Sequence, residues 1–121
     1  MIYRDRADLV GTPRDVVNRN YHSTRILLAE DNVGVGLHDV VINPGVEDTY
    51  GYADRTEIAY CVGGTARVVD LDTGEERSIR PGMVWVAPPG SRFTLTADEP
   101  LRLICVFDPP LEGTETGIVG D

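Results

Sequence analysis

Apolar and polar residues alternate with a period of two through most of this chain, and the alternation predicts a series of short β-strands. Strands are expected at 21–29, 33–43, 48–52, 57–62, 65–71, 76–80, 83–87, 92–96 and 101–107. Turn residues punctuate them: Glu30-Asp31-Asn32, Pro44-Gly45, Asp72-Thr73-Gly74 at the tip of a hairpin, and Pro88-Pro89-Gly90. Residues 11–20 read as a short helical turn, with Thr12 as its cap and Pro13 in the first helical position. So many short strands with so little helical periodicity predict an all-β sandwich or barrel, one domain over residues 1–121. The Gly- and Thr-rich tail after Pro109-Pro110 is expected to be mobile at its end.

Strand parity also says which side chains share a face. Tyr21, Ser23, Arg25 and Leu27 fall together, as do His38, Val40 and Ile42. Glu57, Ala59 and Cys61 form another set, and Met83, Trp85 and Ala87 have the matching parity on their strand, as do Leu103, Cys105 and Phe107 on the last. If these faces point into a barrel, its lumen is narrow, apolar and aromatic, with one carboxylate inside.

Composition narrows the chemistry. The net charge of −9 argues against nucleic acid, whose phosphates need a basic face. No apolar run approaches the roughly 20 residues of a membrane span, and the N-terminal residues carry no signal-peptide pattern, so a cytoplasmic location is expected. The chain has no lysine, which excludes Schiff-base chemistry on an internal one. It has only two histidines, His22 and His38, too few for a three-histidine metal site within one chain. Cys61 and Cys105 sit in apolar strands and read as buried free thiols, with a redox pair or a nucleophile as the other reading.

Between Gly45 and Phe93 the small residues fall at telling intervals. Gly45, Gly51, Ala53, Glu57 and Gly64 are followed by Pro81, Gly82, Pro88, Gly90 and Phe93. This frame resembles the two motifs of the cupin superfamily, with Gly51, Ala53 and Phe93 where cupins have histidines. A closer resemblance covers nearly the whole chain. "MIYRDRADLVGTPRDV", "STRILLAED", "GVGLHDVVINPG", "EIAYCVGGTARV" and "LRLICVFDPPLEG" resemble the ectoine synthase family, which implies a small jelly-roll β-barrel and a homodimer. Members use an iron-type metal to close N-γ-acetyl-diaminobutyrate into a cyclic amidine with loss of water. The resemblance places their Glu, Tyr and His ligands at Glu57, Trp85 and Phe93. Neither indole nor phenyl offers a lone pair to a metal, so no metal and no other cofactor is expected. Substrate-pocket positions Arg25, Tyr52, Phe107 and Glu115 match the family, whereas Tyr21, Val40 and Gly117 stand where it has Trp, Thr and His.

Glu57 is the candidate general acid and base, because a carboxylate held against Trp85 and Phe93 away from water should titrate near neutrality. A surface glutamate, or one paired with an arginine, is the plainer alternative. Arg25, central in an apolar strand, needs a partner: a substrate carboxylate, or Glu57 or Glu115. Tyr52 can supply a phenolic proton or orient Glu57. Arg55 can reach the barrel mouth but reads better as a rim charge, and His38 reads as a satisfied core histidine. Tyr21, Val40, Arg55, Trp85, Phe93, Cys105, Phe107 and Glu115 complete the expected substrate pocket, with Trp85 and Phe93 as its aromatic wall. Gly51 and Ala53 are expected to add room nearby for a substrate bulkier than diaminobutyrate.

The resulting expectation is a metal-independent cyclase, dehydratase or isomerase acting on a small organic molecule. Its rivals are a non-catalytic small-molecule-binding cupin and a metal-dependent homologue with unusual ligands.

Overall fold

The computed structural model describes residues 1–121. Ten strands carry the fold: β1 (Asp15–Val17), β2 (Tyr21–Leu27), β3 (Gly36–Ile42), β4 (Glu47–Tyr50), β5 (Thr56–Gly63), β6 (Ala66–Asp70), β7 (Glu76–Ile79), β8 (Val84–Ala87), β9 (Phe93–Ala97) and β10 (Leu101–Asp108). They form a six-stranded sheet in the order β1-β2-β3-β10-β5-β8 and a four-stranded sheet in the order β4-β9-β6-β7. Every pairing between these strands is antiparallel. This is the all-β architecture the alternation predicts, in the jelly-roll form the resemblance implies. No helix is long and apolar enough to cross a membrane.

The inward faces follow the predicted parity. On β10, Leu101, Leu103, Cys105 and Phe107 are buried while Arg102 and Asp108 are exposed. From the facing sheet, Ala66, Val68, Phe93, Leu95 and Ala97 join them in one core. Asp39 points to the outer side of β3, as its parity requires. It is nonetheless covered there, because Arg102 donates to it at 2.6 Å and Arg6 lies 3.6 Å away.

The expected helical turn at 11–20 is not formed. The helix, α1, lies earlier, at Arg6–Leu9, where Asp5 caps it by accepting from the Ala7 amide at 2.9 Å. Thr12 closes that helix rather than opening another, since its hydroxyl donates to the Leu9 carbonyl at 2.6 Å. Asp15 then accepts from Thr24 and bonds His22 across the β1–β2 ladder, so Asp15–Val17 is drawn into the sheet. Here side-chain partners on β2 outweigh a local helix signal.

The tail is tied down. The Ala29 amide donates to the Leu111 carbonyl at 2.9 Å, the Gly51 amide to Gly117 at 2.9 Å, and the Val119 amide to Thr49 at 2.8 Å. Leu111 is fully buried. This segment folds back along β4 and brings Thr116 and Gly117 to the interior cavity.

Candidate active site

The register between strands builds the site. Arg25 on β2 faces His38 on β3, His38 faces Cys105 on β10, Cys105 faces Ala59 on β5, and Ala59 faces Trp85 on β8. These five side chains form one row across the inner face of the large sheet. The row is bulky at both ends and small in the middle, where Ala59 and Cys105 are almost wholly buried. A cavity of about 40 Å³ opens over that stretch. About 10–15 Å³ suffices to hold one water, so there is room for a small polar group.

Most of the wall is apolar or aromatic. Tyr21, Val40, Tyr50, Tyr52, Trp85, Phe93, Leu95, Cys105 and Phe107 all contribute to it, and Glu57 brings the one carboxyl group. The rings brace one another: Trp85 meets Phe93 edge to face at 6.0 Å, Tyr52 meets Phe107 at 5.3 Å, and His38 lies 4.6 Å from Phe107. Trp85 and Phe93 also line a larger hollow of about 310 Å³ with Val68, Arg77 and Met83, so this pair forms a partition between the two.

Glu57, on β5 opposite Phe107 and Ala87, has no cation within ion-pair distance. Burial pushes its carboxyl up to about 7, and only the neighbouring Cys105 thiol pulls slightly the other way. Burial and the nearby carboxylate hold the Cys105 thiol well above its ordinary range, so it stays protonated. Burial raises Tyr52 far above the usual phenol, which leaves its hydroxyl a neutral donor. His38 goes the opposite way: burial and the adjacent Arg25 charge lower it to about 3, so its imidazole is neutral at physiological pH.

Four buried polar atoms on the inner face of this sheet have no partner: Ser23 Oγ, Arg25 Nε, His38 Nε2 and Trp85 Nε1. Each such atom costs about 1–3 kcal/mol when left unsatisfied. The satisfied core histidine expected at position 38 is therefore half right: the ring is buried, yet its Nε2 is unpaired. Strand parity groups Ser23 with Tyr21 and Arg25, and His38 with Val40 and Ile42, but it carries no information about hydrogen-bond partners.

Three expected site residues lie outside the cavity wall. Arg25 is buried and pairs with neither Glu57 nor Glu115; its Nη1 donates to the Gly113 carbonyl at 2.7 Å and its Nη2 approaches the Tyr21 hydroxyl at 3.5 Å. Arg55 donates to the Pro110 carbonyl at 2.7 Å and lies 3.6 Å from Glu115. The Glu115 carboxylate in turn accepts from the amides of Glu112, Gly113 and Thr114. All three thus anchor the tail. Tyr21 shares that task, since its hydroxyl donates to the Thr116 carbonyl at 2.7 Å while its ring lines the cavity.

Gly51 and Ala53 do not enlarge the lumen. A side chain at Gly51 would run into the Ser91 carbonyl, and Ala53 is exposed. The space-giving glycine is Gly117, at φ +71°, where a Cβ would stand 2.5 Å from the Tyr52 hydroxyl. Tyr52 takes the place a side chain at 117 would occupy.

A metal centre does not fit these residues. No three His, Cys, Asp or Glu side chains converge anywhere in the fold, and the two aromatic residues beside Glu57 are not ligands. Cys61 and Cys105 are both buried free thiols.

Comparison with known proteins connects this barrel to one family. A family model described as ectoine synthase matches residues 1–118. The L-ectoine synthase of Thermobifida fusca is 39% identical over 115 residues, covering 95% of this chain and 86% of the relative. That of Marinomonas sp. is 39% identical over 117 residues, with coverages of 95% and 91%. The crystal structure of ectoine synthase from P. lautus superimposes with a TM-score of 0.90 at 33% identity, covering 95% of this chain and 83% of the other. KdgF from Halomonas sp., at 23% identity and a TM-score of 0.67, shares the fold. The chain belongs to the ectoine synthase family.

Proposed function

We propose that this ectoine-synthase-like lyase closes a ring by dehydration within the small cavity, without a metal, and that Glu57 moves the protons. The substrate is a short chain bearing an amine and an amide carbonyl. The amine nitrogen attacks the carbonyl carbon, the C=O π pair moves to oxygen, and the Glu57 carboxylic acid gives that oxygen a proton. The resulting Glu57 carboxylate takes a proton from the former amine nitrogen. Glu57, reprotonated in that step, gives the oxygen its second proton; the nitrogen lone pair forms the C=N bond as the C–O bond breaks and water leaves, and the amidinium N–H proton returns to Glu57 to leave the cyclic amidine. A group that titrates at about 7 suits both directions of transfer.

One observation supports this reading above the others: a half-buried carboxyl group with no cation beside it, set among unpaired polar atoms in an otherwise aromatic cavity. Tyr52 adds a neutral hydroxyl donor. Phe93, Phe107, Val40, Tyr21 and Cys105 confine the chain, so that cyclisation gains from proximity. Arg25, Arg55 and Glu115 act at one remove, holding the tail that supplies Thr116 and Gly117.

The test is turnover of N-γ-acetyl-diaminobutyrate by chelator-treated protein and by Glu57→Gln. Wild type should form the cyclic amidine, and the variant should lose about 10²–10⁴-fold in kcat. Equal turnover by the variant, activity that disappears with the chelator, or a substrate bound and recovered unchanged would each overturn the proposal. We also propose a homodimer. Tyr60, Val62, Val84 and Val86 stand exposed side by side on the outer face of β5 and β8, and a second copy would cover them.

A further inference from the structure

The row of side chains across the large sheet carries two unpaired ring nitrogens. Trp85 Nε1 stands at the β8 end and His38 Nε2 at the β3 end, with Ser23 Oγ on the neighbouring strand. Three inter-strand steps separate β8 from β3, about 14 Å along the sheet, and the side chains of Ala59 and Cys105 between them are too short to fill the gap. All three polar residues line the same cavity. Folded proteins leave few buried polar atoms without partners, and the usual explanation of a cluster is a polar occupant.

The chemistry of the wall says what kind of occupant. An indole N–H only donates, so Trp85 requires an acceptor. No lining residue carries a positive charge: His38 is neutral, the tyrosines hold their protons, and the Arg25 guanidinium lies behind the wall on the Gly113 carbonyl. The neighbouring Glu57 carboxyl also disfavours an anion. An uncharged carbonyl oxygen meets these demands, and a carboxylate does not.

We propose that Trp85 Nε1–H is the hydrogen-bond donor that polarises the substrate carbonyl, at the position where the family resemblance places a metal ligand. His38 Nε2 and Ser23 Oγ, on the far side of the cavity, are partners for another polar part of the substrate. As the attacking nitrogen drives charge onto the carbonyl oxygen, the indole hydrogen bond shortens and stabilises it, in the manner of an oxyanion-hole donor. The indole keeps its proton throughout; the proton the oxygen finally takes comes from Glu57. This rests on the cavity being the substrate site, but binding can be measured without turnover.

Trp85 is the only tryptophan, so ¹⁵N-labelled protein gives a single indole N–H resonance. Titration with acetamide should move that resonance downfield and saturate in the millimolar range expected of so small a ligand. Acetate at equal concentration should leave it in place. In Trp85→Phe, which keeps the ring and removes the N–H, ligand-observed saturation transfer should show acetamide binding at least tenfold weaker. An indole resonance indifferent to acetamide, an equal response to acetate, or unchanged affinity in the folded phenylalanine variant would overturn the proposal. Saturable acetamide binding together with full turnover by Glu57→Gln would sink the Glu57 mechanism and leave this assignment standing. Lost turnover without acetamide binding would do the reverse.

Discussion

Glu57→Gln should make this protein more stable as pH rises above about 4.5, with the full gain reached by about pH 8. Burial raises the Glu57 carboxyl from an ordinary 4.5 to about 7, with no cation in ion-pair range to offset it. Between those values the folded chain keeps a proton that the unfolded chain has already released. The native state then binds more protons than the unfolded state, so stability falls as pH rises through the window. At about 1.4 kcal/mol per pH unit, the ionised carboxylate costs the wild type about 3 kcal/mol by pH 8. Glutamine has nearly the same shape and no charge at any pH. Whatever its amide gains or loses by packing is the same at pH 4.5 and pH 8.5, so the difference between the two conditions isolates the charge. Cys105, the group most closely coupled to Glu57, stays protonated across this range and drops out of the comparison. Urea unfolding of both proteins at the two pH values is the assay. The midpoints should lie close together at pH 4.5, and the variant should lead by about 3 kcal/mol at pH 8.5. Parallel pH profiles would refute the claim that the carboxyl is desolvated. A variant weaker at pH 8.5 would mean that Glu57 is paired with a cation such as Arg25.

The donor set can also be restored. Trp85→Tyr with Phe93→His recreates, beside Glu57, the three ligand types of the family resemblance; purified without chelator it should carry near-stoichiometric iron or zinc by elemental analysis, and wild type should carry little. Comparable metal in the two proteins would refute the reading of the wall. For the homodimer, Val84→Asp with Val86→Asp puts two charges on the exposed face of β8, and sedimentation should show a shift from dimer to monomer. A wild type that sediments as a monomer, or a variant that stays dimeric, would remove that face from consideration.

Much of this site can be read from alternation alone. Parity on β5, β8 and β10 already turned Glu57, Trp85, Cys105 and Phe107 toward one interior. It failed where there is no strand to carry it. Arg55 precedes Thr56, the first residue of β5, so its two-residue offset from Glu57 does not aim it at the cavity; it turns to the Pro110 carbonyl instead. Glu115 lies in a tail without periodicity, and only the fold shows its carboxylate closing on the amides of residues 112–114. Gly51 misled for another reason. A missing side chain makes room only if nothing else moves in, and the Ser91 carbonyl has done so.

What alternation cannot supply is which strands lie side by side. The row from Arg25 through His38, Cys105 and Ala59 to Trp85 draws on five strands spread over about eighty residues of chain, paired in an order unlike the sequence order. Each residue looks ordinary on its own strand: a core histidine, a buried thiol, a small alanine, an aromatic filler. Set in register, large side chains stand at the ends and small ones between, and the difference in size becomes the cavity. The polar character of that cavity has the same origin. Indole and imidazole bury their rings against Phe93 and Phe107 while their nitrogens find no backbone partner, because the adjacent ladders have already used those groups. A site can therefore lose a family's metal ligands and remain a place for a polar molecule. Its demand for hydrogen bonds comes from the register of the sheet, which substitutions at positions 85 and 93 leave in place.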